Sequence, residues 1–258
     1  MIATHDLVKE YGKFRAVDGV SLDVPCGQIH GFLGPNGAGK TTTIRMIAGL
    51  LKPTSGRIIV NNHDLATSPE AAKGSLGFIP DRPFIYEKLT AAEFLRFHAG
   101  LYGIDGNGVN ARVREMLELF ELERWENELV ESFSHGMKQR LVMSAAFLHR
   151  PQAVLVDEPM VGLDPRGARL IKNVFRRMSG RGVAILMSTH TLEVAEEMCD
   201  QISIILTGRI IASGTVEELR QMAAGAGGAE RAVKDEQLTD VFLKLTGGSG
   251  LQEIDEIV

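Results

Sequence analysis

The chain has 258 residues, 44% of them hydrophobic and 24% charged, which is the composition of an ordinary globular protein with a full hydrophobic core. Its net charge of −5 argues against a domain held to nucleic acid by overall positive charge. Its apolar runs fall far short of the roughly 18 residues of a membrane helix, and no signal peptide is visible, so a membrane role would require a partner.

The first 33 residues carry three strand-like runs separated by turn residues. These runs are residues 2–8, residues 21–24 and residues 29–33, and they predict a small antiparallel sheet that leads into a glycine-rich loop. Two cysteines, Cys26 and Cys199, cannot form a C-x-x-C motif. We therefore expect buried thiols in a reducing cytosol.

The glycine-rich loop fits the phosphate-loop pattern G-x-x-x-x-G-K-[ST] at Gly34, Gly39, Lys40 and Thr41. A short buried strand precedes it and a helix over residues 42–51 is predicted to follow it. Glycines let successive N–H groups turn toward a phosphate at a helix N-terminus, Lys40 binds the β- and γ-phosphates, and Thr41 binds Mg²⁺. The nucleotide-binding residues predicted here are Gly34, Pro35, Asn36, Gly37, Ala38, Gly39, Lys40, Thr41 and Thr42.

Beyond this loop the pattern changes twice. A strand over residues 76–80 precedes a helical insert, residues 90–149, which opens on a capping box at Thr90 and Glu93. Strands at residues 153–156, 183–187 and 202–206 then alternate with helices, which predicts a parallel sheet covered by helices. We expect one nucleotide-binding core (residues 1–89 and 150–220) with this insert, followed by a flexible linker and tail over residues 221–258.

The strand at residues 153–156 ends in two carboxylates, Asp157 and Glu158. Asp157 can bind a magnesium ion through water, and Glu158 can accept a proton from an attacking water molecule. This is the division of roles that phosphoryl transfer to water requires. A lone Asp-Glu pair at a strand end can also be two solvated acids, but here it follows a phosphate loop and precedes Pro159.

Taken in order, the motifs between residues 11 and 190 resemble those of the ATP-binding (ATPase) subunit of an ABC transporter, exporter-type branch. The resemblance implies an α/β fold: a P-loop NTPase core, with a parallel sheet flanked by helices, an N-terminal antiparallel β-subdomain and an inserted helical subdomain. Ser134 and Gly136 stand where the family's signature sequence opens a helix. There they would bind the γ-phosphate of ATP held by another subunit, which implies a head-to-tail dimer.

The resemblance assigns four further positions. Asp164 corresponds to the loop that crosses the dimer interface, although an aspartate there could simply cap a helix. His190 corresponds to the histidine that contacts the γ-phosphate and orders Glu158, and Tyr11 to the aromatic residue that stacks on adenine. Asp81 replaces the usual glutamine and could join Thr41 and Asp157 at the metal. His135 replaces a glycine of the signature and could touch nucleotide or face solvent.

The leading hypothesis is therefore a catalytic ATPase, acting through Glu158, His190 and Lys40 with ATP and Mg²⁺. Its expected partners are a transmembrane permease, contacted between Asp81 and Tyr102, and a second copy or a homologous ATPase subunit. It would be cytoplasmic, held at the inner face of the cell membrane only through the permease, with no nucleic acid. The alternatives are a soluble ABC-type ATPase acting on translation or DNA, and a regulatory clamp that binds ATP without hydrolysing it; keeping both Glu158 and His190 argues against the clamp.

Overall fold

A computed structural model describes residues 1–82 and 84–226, which contain ten strands and eight α-helices. The strands are β1 (Ile2–Tyr11), β2 (Phe14–Val24), β3 (Ile29–Leu33), β4 (Ser55–Val60), β5 (His63–Asp64), β6 (Leu76–Ile79), β7 (Ala153–Asp157), β8 (Ala184–Thr189), β9 (Gln201–Leu206) and β10 (Arg209–Gly214). The α-helices are α1 (Lys40–Ile47), α2 (Pro69–Gly74), α3 (Ala91–Leu101), α4 (Val109–Leu119), α5 (His135–Phe147), α6 (Pro165–Ser179), α7 (Leu192–Met198) and α8 (Val216–Ala226).

Two sheets organise these elements. A four-stranded antiparallel sheet has the order β2-β1-β4-β5, and a six-stranded sheet has the order β10-β9-β3-β8-β7-β6. Strands β9, β3, β8, β7 and β6 run parallel, and β10 pairs antiparallel with β9 at the edge. Every residue of β3, β7 and β8 is buried, as expected for parallel strands covered on both faces.

The helical insert packs into the same apolar core as the sheet. Phe94 of α3, Leu117 of α4 and Met143 of α5 belong to one buried cluster with Val154 of β7 and Ile185 of β8. The predicted capping box at the start of α3 is present, because Thr90 and Glu93 exchange backbone and side-chain hydrogen bonds. The shared apolar core holds the insert against the strands whose ends carry the predicted site.

Several predicted boundaries differ from the structure. Strands β1 and β2 are longer than the runs read from sequence, α1 begins at Lys40 instead of residue 42, and β10 was not predicted. Helix α8 continues to Ala226, so residues 221–226 are helical where a linker was expected. The rest of that predicted linker and tail, residues 227–258, lies outside the described residues. Within the described ranges, no helix is both long and apolar enough to cross a bilayer.

The two cysteines differ in environment. Cys199 is buried against Gly31, as predicted, and burial raises the pKa of its thiol to about 12. The prediction was wrong for Cys26, which is exposed in the turn between β2 and β3. An exposed position there is consistent with a connection between strands, since such segments run over the protein surface.

One buried histidine gives a testable pH dependence. His30 of β3 is 2% exposed, and burial lowers its pKa from 6.5 to about 4. As the pH falls, the unfolded chain therefore binds a proton at this histidine at a higher pH than the folded chain does. The contribution of neutral His30 to the stability of the folded state is complete above about pH 6.5 and is lost as the pH falls toward about 4. Between about pH 6.5 and pH 5, the free energy of unfolding should fall by about 2 kcal/mol less in His30→Gln than in the wild type, measured by urea unfolding. The exposed His5→Gln is the control; an unchanged pH dependence in His30→Gln would contradict the assignment.

Candidate active site

The predicted site residues meet at the carboxyl edge of the parallel sheet. Strands β3, β7 and β8 end next to one another, with Leu33 beside Thr189 and Asp157 beside Ser188. The residues that follow these strands are therefore neighbours in space, although those after β3 are more than 100 residues from those after β7 and β8 in sequence. Such an edge is where ligands bind in open α/β sheets.

The loop between β3 and α1 needs glycine at two positions for steric reasons. A Cβ on Gly34 would lie 2.4 Å from the Ile205 carbonyl oxygen, and one on Gly39 would lie 2.6 Å from the Ala16 carbonyl oxygen. Gly39 also has a φ of +107° as the residue that precedes α1. The backbone is therefore wrapped closely onto the sheet while its N–H groups stay available at the start of a helix.

Lys40 points its ammonium group back into this loop. Its Nζ donates hydrogen bonds to the carbonyl oxygens of Gly34 at 2.6 Å and Pro35 at 3.0 Å. Burial lowers the pKa of Lys40, while the negative charges of Glu158 and Asp157 act in the opposite direction. A cation held inside a curve of backbone N–H groups is suited to a polyphosphate, whose oxygens can replace the two carbonyl acceptors.

Two oxygen ligands suitable for Mg²⁺ belong to the same edge. Thr41 is the second residue of α1, and Asp157 is 1% exposed and accepts a hydrogen bond from the Ser188 hydroxyl. A buried carboxylate with one hydroxyl donor keeps acceptor capacity for a hard cation. Across residues 1–82 and 84–226, no cluster of three His, Cys, Asp or Glu residues that could hold a metal ion is present.

Asp81 follows β6, the strand beside β7. It lies at the same edge of the sheet and is exposed. The structure therefore places the predicted third ligand on the outer side of the site, on the loop that leads toward the helical insert.

Glu158 and His190 form the most specific contact of the site. The Glu158 Oε1 atom and the His190 Nδ1 atom are 2.9 Å apart. Glu158 has a φ of +53°, uncommon for a residue with a side chain, and its N–H bonds to the Ser188 hydroxyl at 3.2 Å. Because the backbone of Glu158 is fixed in this way, its carboxylate is aimed at the histidine.

Ser188 is the site residue that sequence reasoning missed. Its hydroxyl contacts both Asp157 and the backbone of Glu158, and so joins the two carboxylate residues. The available signal was its place two residues before His190 on a strand parallel to the one that ends in Asp157. No local sequence pattern, however, distinguishes a serine at that position from a structural residue of the strand.

The residues around positions 134 and 164 form a second cluster. Ser134 caps α5 by accepting from the Met137 N–H at 3.3 Å, and Asp164 caps α6 by accepting from the Gly167 N–H at 2.7 Å. The ring of exposed His135 lies against Gly162, where a Cβ would come within 2.3 Å of the ring. The starts of α5 and α6 therefore lie side by side, and the capping role expected of Asp164 is confirmed.

Tyr11 ends β1 and is exposed, with the Lys9 Nζ atom 5.2 Å from its ring centroid. Its ring is exposed, as the predicted stacking on adenine requires.

These features together define a P-loop nucleoside triphosphatase. They are a buried strand, a glycine loop, a helix that begins at lysine, and a carboxylate pair on a parallel strand of the same sheet. Comparison with known proteins gives the family. Residues 17–161 match the family model described as "ABC transporter". The chain therefore belongs to the ABC transporter family, as one of its ATP-binding subunits, and the predicted resemblance and fold class are confirmed.

Curated relatives agree with this placement. EcsA, an ABC-type transporter ATP-binding protein of Bacillus subtilis, is 35% identical over 246 residues, covering 95% of this chain and 96% of EcsA. The daunorubicin resistance ATP-binding protein DrrA3 of Streptomyces coeruleorubidus is 37% identical, covering 84% of this chain and 69% of DrrA3. The chain spans only 39% of the length of YbhF of Escherichia coli, a probable multidrug ABC transporter ATP-binding protein, with 38% identity.

Solved structures agree on the fold. A structure described as the ATP-binding subunit of an ABC transporter superposes with a TM-score of 0.86 at 34% identity, covering 95% of this chain and 99% of that one. A dimeric ATP-binding cassette, MJ0796, bound to ADP and Pi superposes with a TM-score of 0.76 at 24% identity, covering 83% of this chain and 98% of that one, and supports the fold alone.

Proposed function

We propose that this chain hydrolyses ATP to drive a separate membrane permease, in an export system. The observation that carries the catalytic part is the 2.9 Å contact between Glu158 and His190, at the strand ends that also carry the phosphate loop and Asp157. The names of drug-resistance relatives such as DrrA3 support the direction of transport.

In this proposal each residue has one role. Glu158 accepts the proton of the water that attacks the γ-phosphate, and His190 holds the Glu158 carboxylate in place and contacts that phosphate. Lys40 and the N–H groups of residues 36–42 bind the β- and γ-phosphates. Thr41 and Asp157, with Asp81 on the outer side, would hold Mg²⁺, which supplies positive charge to neutralise the phosphate oxygens.

The proposed assembly is a head-to-tail dimer with a second ATP-binding subunit. Ser134 is exposed at the N-terminus of α5, a 13-residue helix whose dipole favours an anion, and Gly136 leaves its backbone accessible beside it. Asp164 lies on the adjoining loop. These groups would meet the γ-phosphate held by the other subunit's phosphate loop.

The permease would dock on an apolar cleft between the sheet and the helical insert. This cleft has a volume of about 320 Å³ and its lining includes Leu50, Phe78, Pro80, Phe84 and Tyr102. Phe84 is 82% exposed, and exposed apolar patches of this kind mark interaction sites. Asp81 lies between Pro80 and Phe84 in sequence, so one loop joins the metal edge to the cleft. Such a surface suits an amphipathic helix of a membrane protein.

The docking surface can be tested with one substitution. We expect Phe84→Asp to lower binding of the purified chain to membranes containing the permease by at least about tenfold, because a charge replaces an exposed apolar side chain that docking would bury. The ATPase activity of the free chain should stay within about twofold, since Phe84 touches none of the catalytic groups.

The measurement is co-sedimentation with vesicles from source cells that lack this chain, and protein-free liposomes of the same lipids give the background. Ile211→Asp, an exposed apolar residue on edge strand β10, is the matched control. Equal binding of Phe84→Asp and wild type would rule out this cleft as the docking site.

A further inference from the structure

A second cavity lies at the amino edge of the parallel sheet, at the opposite end from the active site. It has a volume of about 560 Å³ and is bounded by Pro151 and Gln152 before β7, by Val183 before β8, and by the end of α6. Strand β7 spans about 16 Å at 3.3 Å per residue, which separates this cavity from the phosphate loop. We call it the amino-edge cavity.

Its charge is strongly unbalanced. Arg112, Arg150 and Arg181 line it with one carboxylate, Glu115, for a net charge of +2. Arg112 is already committed, because it donates to the Leu148 carbonyl at 2.9 Å and pairs with Glu115 at 2.7 Å. The hydrogen bond from Arg112 and the charges of all three arginines lower the pKa of Glu115.

The other two arginines are available to a ligand. Arg150 and Arg181 are exposed, and neither side chain makes an ion pair or hydrogen bond within the part of the chain that the structure describes. Both side chains line the amino-edge cavity.

The floor of the cavity is apolar. It is formed by buried Met116 and Phe147 and by the partly exposed Leu119, Met178 and Val183. An inorganic anion would use the arginines and leave this floor in contact with water. The combination instead fits a peptide that carries carboxylates on one side and aliphatic side chains on the other.

One segment of this chain has that composition. Residues 251–258, Leu-Gln-Glu-Ile-Asp-Glu-Ile-Val, contain three carboxylates, four aliphatic residues and no basic residue. They lie outside the described residues, and 24 residues separate them from Ala226, enough for about 80 Å of extended chain.

Helix α8 begins at the same amino edge of the sheet, because it follows β10, whose last residue, Gly214, pairs with Ile202 at the start of β9. Helix α8 contacts α7 through Arg220 and Glu196, and α7 contacts α6 through Lys172 and Glu197. The end of α6 lines the amino-edge cavity. We propose that residues 251–258 dock in the amino-edge cavity, with their carboxylates on Arg150 and Arg181 and their aliphatic side chains on the apolar floor.

Cys26 reports on this docking because it is exposed and also lines the cavity. Cys199 is buried with a pKa raised to about 12 and does not compete for a thiol reagent. In the full-length chain at low salt, we expect Glu253→Gln/Asp255→Asn/Glu256→Gln to accelerate maleimide labelling of Cys26 about fivefold to tenfold. Asp235→Asn/Glu236→Gln, which changes the other acidic pair of the tail, should leave the rate at the wild-type value.

Arg150→Gln/Arg181→Gln makes the sharper test. Removing positive charge near a thiol lowers its reactivity, so the substitutions alone would slow labelling, and faster labelling in this variant reports that an acidic group has left the cavity. Arg114→Gln/Arg169→Gln changes two exposed arginines outside the cavity and is the control. The charge exchange Arg150→Glu/Arg181→Glu with Glu253→Lys/Glu256→Lys should restore slow labelling.

Three outcomes would overturn the proposal. Equal labelling rates in wild type and both sets of variants would show that the cavity is open. Faster labelling in the arginine variant alone would show that another acidic ligand occupies it. Protection that grows with protein concentration would show that the segment comes from a second copy. No nucleotide is needed, so the result is independent of the proposed ATPase function.

Discussion

Replacing Glu158 by glutamine is expected to lower ATP turnover by about 10²- to 10⁴-fold, the usual contribution of a general base, while ATP binding is retained. Glutamine has nearly the same shape, so the contacts of the position 158 N–H with Ser188 are kept. An amide cannot accept the proton of the attacking water. The measurement is steady-state phosphate release, with the nucleotide affinity determined in parallel.

The matched control is Glu193→Gln, an exposed carboxylate three residues beyond His190 on α7. Its turnover should equal that of the wild type. Normal hydrolysis by Glu158→Gln would remove Glu158 from the role of base, even though its contact with His190 stands. Loss of ATP binding in the same variant would instead show that the substitution had disturbed the loop.

The second large effect is expected for Lys40→Ala, which should weaken ATP binding itself by about 10- to 150-fold. This range corresponds to the roughly 1.5–3 kcal/mol of a hydrogen bond to a charged group. The ammonium group of Lys40 is held inside the loop by Gly34 and Pro35, and without it Asp157 and Glu158 leave the site more negative.

Isothermal titration calorimetry with ATP would measure this loss. Lys52→Ala, an exposed lysine that follows α1, is the control and should bind ATP as the wild type does. An unchanged affinity in Lys40→Ala would mean that the ammonium group does not reach the phosphates. A matching drop in both variants would indicate only a general effect of charge.

The geometry of the candidate site was largely predictable because the residues that form it occur in short local sequence patterns. The residues from Gly34 to Thr41 require a particular backbone path, and the structure provides it, with glycine needed where a Cβ would meet the carbonyl oxygens of Ile205 and Ala16. Strand ends that carry Asp157 and His190 could be placed at one edge because parallel strands end together. The capping residues Thr90 and Asp164 were predictable because each accepts a hydrogen bond from the N–H group three residues further along the chain.

What sequence could not supply depends on contacts between distant residues. The hydroxyl of Ser188 joins Asp157 to Glu158 only because β7 and β8 are neighbours in register. The length of β1 and β2 and the presence of β10 come from pairing between strands, to which local apolar runs are a weak guide. The amino-edge cavity is built from α4, α6 and the residues before two strands, and no local sequence motif predicts it.

The proposal that ATP closes two subunits on each other is tested most directly by size-exclusion chromatography with light scattering on Glu158→Gln, with and without magnesium-ATP. Because Glu158→Gln is expected to hydrolyse ATP slowly, the nucleotide stays bound long enough for the dimer to be observed. We expect a monomer alone and a dimer with magnesium-ATP, and Glu158→Gln combined with Ser134→Arg should stay monomeric, because Ser134 lies at the proposed interface. A chain that binds ATP with full occupancy and still remains a monomer would contradict pairing of this chain with itself.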